Sequence, residues 1–218
     1  MKTASPTDAP SNALNWAELY RFRRTTQQRY PNIWKLPIKK RHHQVVVEHL
    51  DNINSVLELG AGARNLSDIL KRHKSDLRYH SFDVDRSQHH DFYTLDDING
   101  EYDAVCMFEV IEHIRPEQAV DTLAAAHRHM RSGALIFVST PNTFHPPEYL
   151  RDATHITPWC YDELGAVLQY TGFELQTLYR LYQDPLLQKL MRRYLMRPLF
   201  RLLGIDFSKQ IIAVAKKP

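Results

Sequence analysis

The stretch Val56-Leu57-Glu58-Leu59-Gly60-Ala61-Gly62 constrains this chain more than any other. An apolar, strand-like run leads straight into Gly-x-Gly, and residues 65–73 behind it (NLSDILKRH) carry apolar side chains at helical spacing. Glycine lets the backbone turn tightly and approach a ligand with no Cβ in the way. The helix that follows offers unpaired N–H groups and the positive end of its dipole, which suit the polar end of a nucleotide or amino acid. A dinucleotide fingerprint, G-x-G-x-x-G, would need a third glycine where Asn65 stands.

The pattern repeats along the chain. SVLEL, LRYHSFDV, YDAVCMF and ALIFVST are short apolar, β-branched or aromatic runs ending in turn residues, and RPEQAVDTLAAAHRHM between the last two has helical periodicity. Such alternation predicts an α/β fold with a mostly parallel sheet and helices on both faces. Farther on, a helix over about 160–171, a strand FELQTLYRL, an amphipathic helix over 185–203 and a last strand KQIIAVAKK are expected. Before the glycine turn, 15–29 and 41–51 read as helices separated by Pro31 and Pro37. The expected organisation is a disordered tail over 1–12, an N-terminal helical cap over 13–53 and a cofactor-binding domain over 54–218.

Asp83 ends the strand-like run after the glycine turn, where a carboxylate can accept both hydroxyls of a ribose; Asp85 is the alternative. The set VLELGAG, FDVD, YDAVCMFEVIEHI, ALIFVSTPN and THITPWCYDELGAVLQYTGFE resembles the class I S-adenosylmethionine (SAM)-dependent methyltransferases over roughly residues 54–180. The resemblance implies a Rossmann-like, seven-stranded, mostly parallel sheet whose last strand is antiparallel. It also implies that Glu58, Gly60, Ala61 and Gly62 border the methionine end of SAM, that Asp83 holds the ribose, and that Asp91 and Phe92 border the adenine. Glu109 joins this cofactor set. Two departures stand out: Arg64 occupies a position where the family often has glycine, and the segment from Asp83 to Tyr102 is short for both a helix and a strand. A nicotinamide-dependent dehydrogenase is the rival for this architecture, but the third glycine and a Tyr-x-x-x-Lys pair are both missing.

In methyl transfer from a sulfonium the cofactor supplies the reactivity, and the protein supplies alignment and handles the acceptor proton. The residues placed for this are Glu112, His113 and, after Ser139-Thr140-Pro141-Asn142, His155. If the EVIEH turn is helical, Glu109, Glu112 and His113 share one face, with Val110 and Ile111 turned to the core. The EVIEH motif resembles the ubiquinone-biosynthesis O-methyltransferases. With its later histidine it also resembles the small-RNA 3′-terminal 2′-O-methyltransferases, where such residues hold a divalent metal. Two readings follow. In one, His113 is a substrate-facing base or orienter, on a small molecule, a quinone precursor or a lipid-linked glycan. In the other, Glu109, Glu112, His113 and His155 ligate a metal that suits an N/O donor set, and the acceptor is an RNA 3′ end. A SAM-binding module without catalysis is the alternative of another class.

Composition adds boundaries. The chain has 28 Lys+Arg against 25 Asp+Glu, a net charge of +3 that by itself implies no nucleic-acid partner. Cys106 and Cys160 belong to no CxxC pair. No secretory signal or membrane span is read, so a cytoplasmic location is expected. Residues 185–203 hold Leu187, Leu190, Met191, Tyr194, Leu195, Leu199, Leu202 and Leu203 with Lys189, Arg192, Arg193, Arg197 and Arg201 and no acid. That basic amphipathic pattern fits peripheral contact with the inner face of a membrane, a dimer contact, or a helix packed on the sheet. A second basic segment, with Trp16, Tyr20, Phe22, Arg21, Arg23, Arg24 and Arg29, is expected to cap the active site or form a basic rim.

Overall fold

The computed structural model describes residues 14–218; the expected tail over 1–12 lies outside them. Helix α1 (Trp16–Arg29) is followed by the short strand β1 (Ile38–Lys39) and helix α2 (His42–Val47). The alternating region comprises β2 (Ser55–Leu59), α3 (Asn65–His73), β3 (Arg78–Phe82), β4 (Tyr102–Phe108), α4 (Pro116–Arg128) and β5 (Met130–Pro141). Then come α5 (Pro146–Leu150), α6 (Tyr161–Tyr170), β6 (Glu174–Leu181), α7 (Leu186–Leu190), α8 (Arg197–Leu202) and β7 (Gln210–Lys216). The seven strands form one sheet in the order β1-β6-β7-β5-β4-β2-β3, parallel except for β7, which is antiparallel to both neighbours. The Rossmann-like sheet with an antiparallel last strand is therefore as the sequence implied. Strand β1 was not foreseen; it extends the β6 edge, and between Phe82 and Tyr102 there is only a 3₁₀ turn at Leu95–Asp97.

Alternation along the strands sorts the apolar residues into two cores. Leu57, Leu59, Val105, Met107, Ile136, Val138 and Ile211 face α1, α4 and α6, whereas Val56, Ala104, Cys106, Phe137 and Ile212 face α2 and α3. With both faces covered, β2 is buried along its whole length. Helix α3 fits its place electrostatically: Asp68 lies in its first turn and Lys71, Arg72 and His73 in its last.

Helix α1 packs on α6, where Arg23 meets Asp162 at 2.8 Å and Glu163 at 3.0 Å, while Arg29 donates to the carbonyls of Leu175 and Gln176. Two of the arginines expected on a basic rim thus serve structure.

The amphipathic region is not one helix. Proline at 198 has no N–H to donate and its ring would strike the preceding turn. Ahead of it, residues Met191–Leu195 widen into a π-type turn, with the Met196 N–H reaching the Met191 carbonyl at 2.9 Å, and α8 restarts at Arg197. The helix is also not packed on the sheet: Leu187 is 76 % exposed and Leu202 82 %.

The α1–α6 contact depends on Gly165. A Cβ there would lie 2.8 Å from Thr26 Cγ2 and 3.0 Å from Leu175 Cδ2. Gly165→Ala should therefore destabilise the protein by about 1–3 kcal/mol in urea unfolding, although alanine is the better helix former by about 1 kcal/mol. Thr26→Ala in the same chain should recover most of the loss. A Gly165→Ala protein as stable as wild type would mean that the helices are not in this contact.

Candidate functional site

The parallel strands β2, β4, β5 and β6 end at one edge of the sheet, and after β2 the chain goes first to β3 on one side and then to β4 on the other. Ligands of open α/β sheets bind at such a switch point. A cavity of about 770 Å³ opens there, lined among others by Leu59, Gly60, Phe82, Asp83, Glu109 and His113.

The glycine turn is shaped to make this space. Gly60 has φ +72°, and a Cβ on it would sit 2.2 Å from Val110 Cγ2, so Val110 can pack against the turn only because residue 60 is glycine. The Gly60 and Ala61 N–H groups donate to the Phe82 carbonyl at 2.9 and 3.1 Å, and the Gly62 N–H donates to Asp83 Oδ2 at 2.8 Å. Asp83 Oδ1 also accepts the Asp85 N–H at 3.0 Å. A carboxylate has about four acceptor positions, so Asp83 keeps capacity towards the cavity it lines.

Arg64 takes the left-handed conformation (φ 58°) that glycine often supplies at this turn. Its guanidinium repays the strain by donating to the His89 carbonyl at 3.2 Å, approaching Asp91 Oδ2 at 3.5 Å and lying 5.7 Å over the Tyr79 ring. Asp91 in turn accepts the Ser81 N–H at 2.8 Å and its hydroxyl at 2.9 Å. Burial would raise the Asp91 carboxyl, but these bonds and Arg64 hold it below its ordinary value.

Several expected cofactor contacts do not face the cavity. Asp91 holds the loop to β3, and Phe92 is buried in the core; the wall beside them is made by Tyr93, Thr94 and Leu95. Ala61 is buried too, and neither it nor Gly62 lines the space. Glu58 points to the α3 side, where it takes a short hydrogen bond from the Tyr79 hydroxyl. Helix α4 contributes Gln118, Asp121 and Thr122, polar residues at i, i+3 and i+4 along one stripe. That stripe was visible in the sequence, but α4 was read only for its apolar face.

The EVIEH turn departs from the expected helix. Only Ile111–His113 form a turn of 3₁₀ helix, and Glu109 before it is left-handed at φ 54°. This conformation directs Glu109 to Ser139, whose hydroxyl donates to Oε1 at 2.7 Å. Val110 packs against the core as expected and also lines the cavity against Gly60, and Ile111 is buried as expected.

The loop after β5 brings His155 back over this turn. The Glu112 carbonyl accepts the N–H groups of Ile156 (2.9 Å) and Thr157 (3.0 Å), and Trp159 Nε1 donates to the Ile111 carbonyl at 2.9 Å. Glu112, His113 and His155 then place ligand atoms within 4.8 Å of one another, with His155 Nε2 at 4.0 Å from Glu112 Oε1. Glu109 stands outside this trio but lines the adjoining cleft with it, together with Glu148 and Asp152.

Hydrogen bonding settles which imidazole nitrogens are free. His155 Nδ1 lies 2.7 Å from the Tyr149 carbonyl, which can only accept, so in the neutral ring Nδ1 carries the proton. His113 Nδ1 faces the Thr154 carbonyl at 3.3 Å and the Thr154 hydroxyl at 2.9 Å; that hydroxyl already donates to Asp152 at 2.7 Å and so accepts from His113. Both rings keep the Nε2 lone pair. Glu112 is fully buried, and neither its oxygens nor the nearby Thr140 hydroxyl has an aligned hydrogen-bond partner among the described residues. Burial, then the neighbouring Glu109, raises its carboxyl above the ordinary range. One unpartnered carboxylate and two imidazoles anchored through Nδ1 fit a divalent metal, and fit proton transfer equally.

Glu58 gives a test of the buried side of the turn. Burial pushes its carboxyl up to about 7 from 4.5, with the Tyr79 bond and Arg64 opposing. The folded protein therefore holds a proton that the unfolded chain releases between these two values, and stability falls as pH rises through that window. Relative to Glu58→Gln, the wild type should lose on the order of 3 kcal/mol across it in urea unfolding. Parallel stability curves for the two proteins would refute the assignment.

The model of a methyltransferase-domain family matches residues 22–178. No curated protein sequence matches the chain. Among solved structures, a SAM-dependent methyltransferase from Archaeoglobus fulgidus is 17 % identical, covering 80 % of this chain and 94 % of that one, with a TM-score of 0.61. The methyltransferase domain of bacterial-CtHen1-CN is 19 % identical, with coverage of 88 % and 98 % and a TM-score of 0.56. A SAM-dependent methyltransferase from Mesorhizobium loti is 10 % identical, with coverage of 81 % and 98 % and a TM-score of 0.57. At these identities the likeness is one of fold, and it is the family match over most of the chain, on a sheet whose switch point holds the glycine turn and Asp83, that decides: the chain belongs to the methyltransferase-domain family and is an enzyme of the class I SAM-dependent methyltransferase superfamily.

Proposed function

We propose that the enzyme transfers the methyl group of SAM to a hydroxyl oxygen of a small molecule, a quinone precursor or a glycan. The observation that carries this reading is that Glu109 and His113 line both the 770 Å³ cavity and the cleft holding Glu112 and His155. The cofactor would lie with its ribose hydroxyls on Asp83 and its adenine beside Tyr93, Thr94 and Leu95. Its methyl group would then face the border between the two spaces, where an acceptor in the cleft can reach it.

In the reaction the bond from methyl carbon to sulfur breaks as the bond to the acceptor oxygen forms, and S-adenosylhomocysteine leaves. The hydroxyl proton passes to His113 Nε2, whose lone pair is kept available by the bond between Nδ1 and Thr154. His155 and Glu112 orient the hydroxyl. The loop pinned to the Glu112 carbonyl forms one wall of the cleft.

A second reading is favoured by the Glu112 carboxylate, which has no aligned hydrogen bond among the described residues and lies within 4.8 Å of a ring nitrogen of both His113 and His155. Glu112, His113 and His155, with Glu109 adjoining, would hold Mn²⁺, Zn²⁺ or Fe²⁺, as the resemblance to RNA 3′-terminal 2′-O-methyltransferases implies. Such an ion, when bound, lowers the pKa of a coordinated hydroxyl.

Calorimetry and turnover separate these steps. Asp83→Ala should weaken SAM binding about tenfold or more, whereas His113→Gln should leave it within a few-fold and lower kcat by about 10²–10⁴. The assay offers phenolic quinone precursors, sugars and an RNA 3′ end, with and without EDTA. Turnover that survives EDTA supports the base reading; turnover abolished by EDTA and restored by Mn²⁺ replaces it with the metal one. Full activity of His113→Gln would sink both roles for this residue.

A further inference from the structure

Residues 186–203 leave the sheet at the end of β6 and return at the start of β7, at the same edge that carries the glycine turn and the Glu112 cluster. Their base is fastened to the loop after β5. Asp206 accepts from Asn142 at 3.0 Å and from Arg180 at 2.9 Å, its N–H donates to the Phe144 carbonyl at 2.7 Å, and Trp34 Nε1 donates to the Ile205 carbonyl at 3.2 Å. Phe200 and Phe207, with ring centroids 6.2 Å apart, anchor α8 to that base.

Beyond this anchor the segment turns aliphatic side chains to solvent. Leu187, Leu195, Leu202 and Leu203 are all more than half exposed, and Met191 is half exposed. Monomeric proteins rarely leave such a concentration of leucine uncovered. Cations surround it: Arg197 and Arg201 are exposed in α8, Arg192 is paired with Asp184 at its start, and no acid occurs between Pro185 and Ile205. Beneath α8 a cavity of about 400 Å³ is lined by Trp34, Lys39, Lys40, Arg180, Arg197 and Phe207. Lys39 is held by Glu48 and Arg180 by Asp206, whereas Lys40 and Arg197 have no ion pair among the described residues.

We infer that residues 186–203 dock the enzyme on an anionic phospholipid surface. The leucines enter the headgroup boundary, and Arg197, Arg201 and Lys40 meet lipid phosphates. Charge decides the occupant. A second copy of the chain would set arginine against arginine, and a zwitterionic surface would leave the cations without partners, whereas an anionic bilayer matches both the apolar and the basic part. The docked face also borders the catalytic edge, so an acceptor held in the lipid surface lies beside the cleft. This assignment is independent of the acceptor proposed above and of any metal.

The test is flotation of the full-length protein with phosphatidylcholine vesicles, with and without phosphatidylglycerol. The protein should float with the phosphatidylglycerol vesicles only, less as salt rises. Leu187→Ser and Leu202→Ser, at exposed positions, should each weaken partitioning about tenfold or more, and Arg197→Gln and Arg201→Gln about fivefold each. SAM binding measured on every variant shows that the fold is intact. Absence of flotation, or flotation unchanged in the leucine variants, overturns the proposal. So does a concentration-dependent dimer that Leu202→Ser abolishes, which would assign the face to self-association.

Discussion

Two backbone hydrogen bonds to a single carbonyl bring the candidate site of this protein together. The Glu112 carbonyl accepts from Ile156 and Thr157, and with Trp159 on the Ile111 carbonyl it ties the loop after β5 to the turn after β4. Without that tie His155 would belong to a long surface loop. With it, His155 Nε2 stands 4.0 Å from the carboxylate of the same residue whose carbonyl makes the bond. The Glu112 side chain is then trapped under the loop with no aligned hydrogen bond among the described residues, an arrangement that costs stability and is retained where a ligand, a metal or a transferred proton can satisfy it. The two histidine rings are fixed by the same loop, through Tyr149 and Thr154.

Strain is concentrated at the same edge. Arg64 and Glu109 are the described non-glycine residues with positive φ, one just after the glycine turn and the other at the border of the two cavities. Each such conformation costs on the order of 1 kcal/mol and persists only where surrounding bonds over-determine it. For Arg64 these are His89, Asp91 and Tyr79, which replace with fixed contacts the freedom that a glycine would have there. For Glu109 they are the Ser139 hydroxyl and, in the other direction, the Ser139 carbonyl receiving the Glu109 N–H at 3.2 Å. The position after β4 can therefore aim a carboxylate across the sheet edge instead of along a helix.

The sheet was legible in the sequence because β2, β4 and β5 are covered on both faces and read as continuous apolar runs, and the glycine turn was legible because Val110 leaves no room for a Cβ at position 60. Strand β1 was not, since Ile38–Lys39 is two residues long and gains its strand character only by pairing with β6. Asp91 and Phe92 resemble an adenine border, yet Arg64 and Ser81 draw Asp91 onto β3, and the cavity wall there is Tyr93–Leu95; a long-range ion pair of this kind leaves no periodic signal. Alternation along β2 puts Glu58 on the opposite face from Leu57 and Leu59, where the Tyr79 hydroxyl meets it, a partner that the sequence pattern does not reveal. The convergence of Glu112, His113 and His155 was foreseen from their residue types, whereas their tautomers depend on carbonyls that the sequence cannot locate.

The excursion between β6 and β7 follows a different logic from the rest. Everywhere else apolar periodicity marks a face that the sheet covers, and the same reading would bury 186–203. Pro198 prevents it, because a helix broken at that point cannot lie straight along the sheet, and the two short pieces keep contact with the body through Phe200 and Phe207 while their leucines turn outward. The buried pair Arg180 and Asp206 fixes where the excursion begins and ends, one residue on β6 and the other just before β7. Its base bonds to Asn142, Phe144 and His145, in the loop that carries His155 farther along. The exposed apolar segment and His155 are thus both tied to the loop after β5, the first through its base and the second as part of that loop.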